Sequence, residues 1–152
     1  MKILKKVRQG GFLISKIKQV SGRIFDKKLK EYDITDLNNA QGRIIFSLWQ
    51  NDNVPIKELA SQTALGKTSL TSMLDRLEQI GYIDRKPDSA DKRKVFVSLT
   101  EKSKLLKERY EDVSHEMLAL FYEGLSEQEI HEFERQLNHI LSNLNKYEEE
   151  HK

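Results

Sequence analysis

Between Pro55 and Thr100 the hydrophobic period of this chain changes once. It passes from the three- and four-residue steps of short helices to the alternation of a hairpin, with a glycine at the change. Pro55 pre-sets the first turn of a short helix whose Ile56, Leu59 and Ala60 face inward. Ser61–Gly66 is a short polar connection that ends in glycine. A second helix follows over Lys67–Ile80, with Leu70, Leu74 and Leu77 as its buried stripe and Met73 beside it. Gly81 stops that helix, because a left-handed cap carries no steric penalty at glycine. Tyr82–Lys86 then reads as a strand, Pro87-Asp88-Ser89-Ala90-Asp91 as turn chemistry, and Val95–Leu99 as a β-branched and aromatic strand. Two short helices joined by a tight turn, with a hairpin directly after the second, make a winged helix-turn-helix.

The flanks are helical. Leu13, Ile17, Val20, Ile24, Phe25, Leu29 and Tyr32 recur at helical spacing and predict one long amphipathic helix from Phe12 to Tyr32. Thr35 is the expected cap of the next helix, with Asp36 in its first turn and Leu37, Ala40, Ile44 and Leu48 as its stripe. Thr100 is the expected cap of a long helix reaching about Tyr122, whose apolar positions are Leu105, Val113, Met117, Leu120 and Phe121. Ser126-Glu127-Gln128-Glu129 is a capping box opening a final helix, with Ile130, Phe133, Leu137, Ile140, Leu141 and Leu144 as its stripe. The fold class is therefore mostly α with a small β-hairpin wing. Residues 36–100 form the winged helix-turn-helix DNA-binding domain, and residues 1–35 and 101–152 a helical dimerisation region.

The face of Lys67–Ile80 opposite the leucines carries Lys67, Thr68, Ser69, Thr71, Ser72, Asp75, Arg76 and Gln79. Short hydroxyl side chains near a helix N-terminus suit close approach to phosphate oxygens and base edges. They also lower helix propensity, which an unconstrained solvent face has no reason to accept. Arg76 has two open readings: a DNA contact, or an ion pair with Asp91 that sets the hairpin angle. The hairpin holds Arg85, Lys86, Lys92, Arg93 and Lys94. Lysine at hairpin edges serves solubility, but a basic tip beside a helix-turn-helix also lies where a minor groove would run. Arg93 is the first choice for that groove and Lys92 the second. Asp91 is the acid at a basic tip and is read as wing-orienting, through a turn bond or a salt bridge that aims Arg93.

Net charge is only +2, but its distribution is uneven. Residues 1–30 hold ten Lys/Arg against one acid, and residues 101–152 hold seven against thirteen. Either these are two solvated faces, or the chain ends pack together within or between chains. A strongly apolar final helix that the small wing domain cannot cover points to a second copy, and so to a two-fold homodimer.

Other classes are set aside on specific grounds. With no cysteine there is no disulfide, thiolate zinc site, iron–sulfur cluster or thiol switch. His131 and His139 stand eight apart, and no two histidines lie three or four apart on one helix, so no metal site is expected. No nucleophile–base pair and no phosphate-cradling glycine loop suggests an enzyme, and no cofactor is implied. Met1–Arg8 is basic, but Lys16 and Lys18 break up the apolar residues that follow, and no run approaches the ~20 residues of a membrane span. The expected location is cytoplasmic. The alternative to a DNA-binding regulator is a winged-helix protein-interaction adaptor without sequence-specific DNA binding.

The motifs resemble those of the MarR family of winged-helix regulators. The likeness rests on Glu58-Leu59-Ala60, on Thr71 through Glu78, on Gly81-Tyr82-Ile83, and above all on Asp91-Lys92-Arg93 running into Val95, Val97 and Leu99-Thr100. The resemblance implies a homodimer on palindromic double-stranded DNA, mostly as a repressor, whose first and last two helices interlock. It also implies a small aromatic or anionic effector bound between the dimerisation and DNA-binding parts. By position it makes Thr71, Ser72 and Arg76 recognition-helix contacts and Arg93 the wing contact. Ser72 stands where many members carry arginine, which implies a different operator preference. The absence of cysteine removes the family's thiol-based peroxide sensing.

Overall fold

The computed structural model describes residues 7–152. Most of the basic N-terminal segment, including Lys2, Lys5 and Lys6, lies outside the described residues. The elements in chain order are α1 (Gly10–Glu31), α2 (Asn39–Gln50), β1 (Val54–Pro55), α3 (Ile56–Thr63), α4 (Lys67–Gln79), β2 (Ile83–Pro87), β3 (Val95–Leu99), α5 (Glu101–Phe121) and α6 (Glu127–Glu150). A mostly helical fold with a hairpin wing is therefore what the chain adopts.

One compact unit runs through Met117 and a second spans Leu118–Lys152. In the first, leucines from α4 (Leu70, Leu74, Leu77) meet Ile44, Ile45 and Leu48 of α2, Leu59 of α3, and Ile83 and Val97 of the sheet. Leu29 of α1 and Leu106, Tyr110 and Val113 of α5 join the same core. The core thus includes residues on both sides of the expected boundaries at 35 and 100.

Several local expectations change. The cap of α2 is Asn38, not Thr35: its side chain accepts from the Gln41 N–H while the Gln41 side chain accepts from the Asn38 N–H. Leu37 precedes the helix yet is buried. Ser61, Gln62 and Thr63 belong to α3, so the turn is shorter than expected, and Ala64 takes the left-handed conformation (φ 58°). The Thr100 hydroxyl donates to the Gly81 carbonyl at 2.6 Å. Leu105 is 73% exposed and Leu106 holds the buried position.

The wing is also more than a hairpin. β1 pairs antiparallel with β3 through Val54↔Val97 and Pro55↔Phe96, giving the order β1-β3-β2. Asp52 finishes the edge by accepting the Leu99 N–H at 2.9 Å. Two residues are too few to carry a readable alternation, and their partner lies over forty positions away.

In the second unit, the Ser126–Glu129 capping box forms as expected. Tyr122 packs edge-on against Phe121 and Phe133 and donates its hydroxyl to Glu134 at 2.8 Å. No residue of α6 is buried.

Candidate nucleic-acid interface

Helix α4 begins at Gly66, which offers no side-chain cap. Its first-turn N–H groups therefore keep their partial positive charge for an outside acceptor. Lys67, Thr68, Ser69, Thr71, Ser72 and Arg76 are all exposed, while Leu70, Leu74 and Leu77 anchor the opposite face. The structure thus brings the six α4 candidates onto one solvent-facing side, beginning at an electropositive helix end.

At the wing tip, the turn closes through Asp88 N–H to Lys94 O at 2.8 Å and Lys94 N–H to Asp91 O at 2.9 Å. Asp91 accepts from the Arg93 backbone N–H and from Arg93 Nε, both at 3.1 Å, and from Nη2 at 3.3 Å. These bonds hold the Asp91 carboxyl below its ordinary value, with the Arg93 guanidinium as the main cause. Arg93 is nevertheless 91% exposed along its side chain. A paired arginine with an open guanidinium edge is oriented without being used up. Asp91 is paired to Arg93, and Arg76 lines a recess of about 400 Å³ with Lys30, Asp36 and Gln41.

Lys86 and Lys92 are exposed, but Arg85 departs from expectation. Its Nη2 lies 2.7 Å from Asp75 Oδ1 and 2.9 Å from Glu78 Oε1, and its backbone N–H donates to Glu78. Glu78 is held below the usual carboxylate range by this bond, and Arg85 is raised by it. Its guanidinium is turned back toward α4, where it braces the wing. Sequence reasoning missed Glu78 as its partner. The available signal was a pair of acids on the outer face of α4, which matters only once β2 is known to run alongside.

Phe46 lines a groove of about 630 Å³ with Arg43, Gln50, Gln62, Leu65 and Met73. Tyr32 is bound to Glu116, and Trp49 packs against Tyr110. Among the described residues no group of three His, Asp or Glu side chains converges as a metal site.

The MarR family model matches residues 37–95. The organic hydroperoxide resistance transcriptional regulator of Bacillus subtilis (strain 168) is 36% identical over 101 residues, covering 66% of this chain and 69% of that protein. The chain belongs to the MarR family. This MarR-family chain is also 27% identical over 124 residues to the HTH-type transcriptional regulator MgrA of Staphylococcus aureus, covering 82% of this chain and 81% of that protein. Among solved structures it is similar to a cysteine-to-serine mutant of MarR from E. coli complexed with operator DNA, with a TM-score of 0.76 and 26% identity over 86% of this chain and 92% of that one. A MarR-family winged-helix transcriptional regulator is what the wing signature implied, and the family assignment and the fold agree on it.

Proposed function

We propose that this chain is a homodimeric transcriptional regulator, acting as a repressor, that reads a palindromic duplex through α4 and anchors each half-site with the wing. The carrying observation is the side of α4 described above. An uncapped helix start, four hydroxyl side chains and a lysine lie exposed together, with the oriented Arg93 on the neighbouring tip. Lys67, Thr68 and Ser69 meet phosphate, Thr71, Ser72 and Arg76 approach base edges, and Lys86, Lys92 and Arg93 follow the backbone and minor groove. Asp91 keeps Arg93 aimed.

The homodimer is supported by two uncovered apolar faces. Helix α1 exposes Phe12, Leu13, Ile14, Ile17 and Val20, and α6 exposes Ile140, Leu141, Leu144 and Tyr147. Apolar faces of that extent mark association surfaces. Residues 1–35 and 101–152 supply the dimerisation region and residues 36–100 the DNA-binding part. Two-fold symmetry then spaces the two readers about one DNA turn, roughly 34 Å, apart. A small aromatic or anionic effector releases the DNA, and the protein works in the cytoplasm without catalytic activity of its own. No helix among the described residues is long and apolar enough to cross a membrane.

A duplex-binding titration across salt tests this. Binding through phosphates gives a linear fall of log affinity with log salt, with a slope of several units. Arg93→Ala weakens binding and shallows the slope by about one while leaving the dimer intact. A flat salt response in the wild type would instead favour a protein-interaction adaptor.

A further inference from the structure

At the C-cap of α4 and the two residues after it, three consecutive carbonyls each meet a side chain from the first turn of α5 or the residue before it. Lys102 Nζ donates to Ile80 O at 2.8 Å, Thr100 Oγ1 to Gly81 O at 2.6 Å, and the buried Ser103 hydroxyl to Tyr82 O. The Thr100 N–H also donates to Tyr82 O at 3.2 Å. Lys102 does two further things. It sits 4.4 Å over the centre of the Tyr82 ring, and it lies 3.1 Å from Asp36 Oδ2 in the loop before α2. The Tyr82 hydroxyl closes the figure by donating to Asp36 Oδ1 at 2.6 Å.

Three segments distant in sequence therefore converge on one lysine. Lys102 and Asp36 remain 48% and 39% exposed along their side chains, and such exposed pairs contribute little to global stability. What the arrangement does constrain is direction. A cation–π contact, a carbonyl bond and an ion pair from one ammonium leave the end of α4 one orientation relative to α5.

We propose that Lys102, together with Tyr82 and Asp36, is a positioning residue for the recognition helix. The cluster sets the rotation and height of the base-reading face, so that discrimination between DNA sequences depends on it and general affinity for DNA does not. This rests on the DNA-binding reading above. It also separates Lys102 from the phosphate-contacting lysines. A phosphate contact weakens all sequences alike and changes the salt slope, whereas a misaligned reader loses base contacts and leaves the slope alone.

The experiment compares two duplexes of about 30 base pairs, long enough for two half-sites one turn apart. One is enriched from a random pool by repeated selection on the wild-type protein, and the other is of unselected sequence. Lys102→Met and Tyr82→Phe are expected to weaken the enriched duplex about tenfold while the unselected one stays within about twofold and the salt slope is unchanged. Lys102→Arg, which keeps the charge and the donor, restores discrimination. Equal weakening of both duplexes with a slope lower by about one overturns the proposal and makes Lys102 a phosphate contact. Unchanged affinities for both also overturn it. If Lys102→Met loses its cooperative melting transition, Tyr82→Phe, which removes a single oxygen, is read alone by the same criteria. A wild-type protein that enriches no sequence and shows no salt-dependent binding refutes the DNA-binding reading itself, before any variant is compared.

Discussion

A Cβ built on Gly42 in α2 would lie 2.5 Å from the Tyr110 hydroxyl of α5, with two ring carbons at 2.9 and 3.0 Å. The ring cannot simply step aside. It is wedged between Phe25 at 5.6 Å and Trp49 at 5.0 Å, and burial pushes its hydroxyl up to about 12. Gly42→Ala is therefore an overpacking substitution, expected to cost about 1–3 kcal/mol in urea unfolding. The same change in a Tyr110→Phe background costs less, because the nearest obstructing atom is gone, and the two substitutions are non-additive. Nothing in the neighbouring sequence marks this glycine. It sits in a helix and at an ordinary helical φ, so its requirement comes wholly from a residue 68 positions away.

At the scale of elements, a side-chain bridge to α4 adds to the three-stranded sheet in holding the wing. Arg85 bridges β2 to Asp75 and Glu78 of α4. These acids are 61% and 40% exposed, so the bridges add at most about 1 kcal/mol to global stability. Arg85→Met is thus expected to leave the unfolding midpoint nearly unchanged. It should, however, speed amide hydrogen exchange in β2 and β3 relative to the α4 core, since local opening needs only that bridge to break. Equal exchange rates in wild type and variant would show that the sheet register alone holds the wing. The helices differ in how legible they were. Helix α6 announces itself by the Ser126–Glu129 box, and α4 by its leucines and Gly81. Helix α2 was misplaced at its start because Thr35 and Asn38 are both competent caps. Asn38 takes the role because Gln41 stands three residues on and completes a capping box with it.

For the whole molecule, two properties are testable. The first is acid sensitivity. Burial alone would raise the Asp36 carboxyl, but the bonds from Tyr82 and Lys102 hold it below its ordinary value. Glu78, Asp91 and Glu116 are lowered as well, by Arg85, Arg93 and Tyr32 respectively. A carboxyl whose folded-state value is depressed stabilises the fold above its unfolded value of about 4, and that contribution is lost as pH falls through the lower folded one. The urea midpoint should therefore decline modestly as pH falls below about 4. Asp36→Asn should start lower at neutral pH and fall less steeply. The second property is assembly. The exposed apolar faces of α1 and α6 are the surfaces proposed above for the homodimer, and Leu141→Asp with Leu144→Asp is expected to yield a monomer in sedimentation at micromolar concentration. A wild-type protein that sediments as a folded monomer there would overturn the dimer.

The sequence by itself determined the elements and their chemistry: the helical periods, the glycine stop after α4, the hydroxyl-rich face, the basic tip and the family signature. These are local properties, carried by spacing of a few residues, and they survive translation into structure almost unchanged. Only the tertiary structure decided which charges remain available and which are internal. Arg85 and Arg93 are both wing arginines near acids in sequence, yet one is folded back on α4 and the other is 91% exposed. It likewise decided the third strand at Val54–Pro55, the displacement of Leu105 by Leu106, and the convergence of Asp36, Tyr82 and Lys102. The strand pairing and the Asp36 contacts depend on partners more than forty positions away, and the others on how neighbouring elements turn toward one another. Pairing energies of that kind are absent from any local window and appear only when the chain has closed on itself.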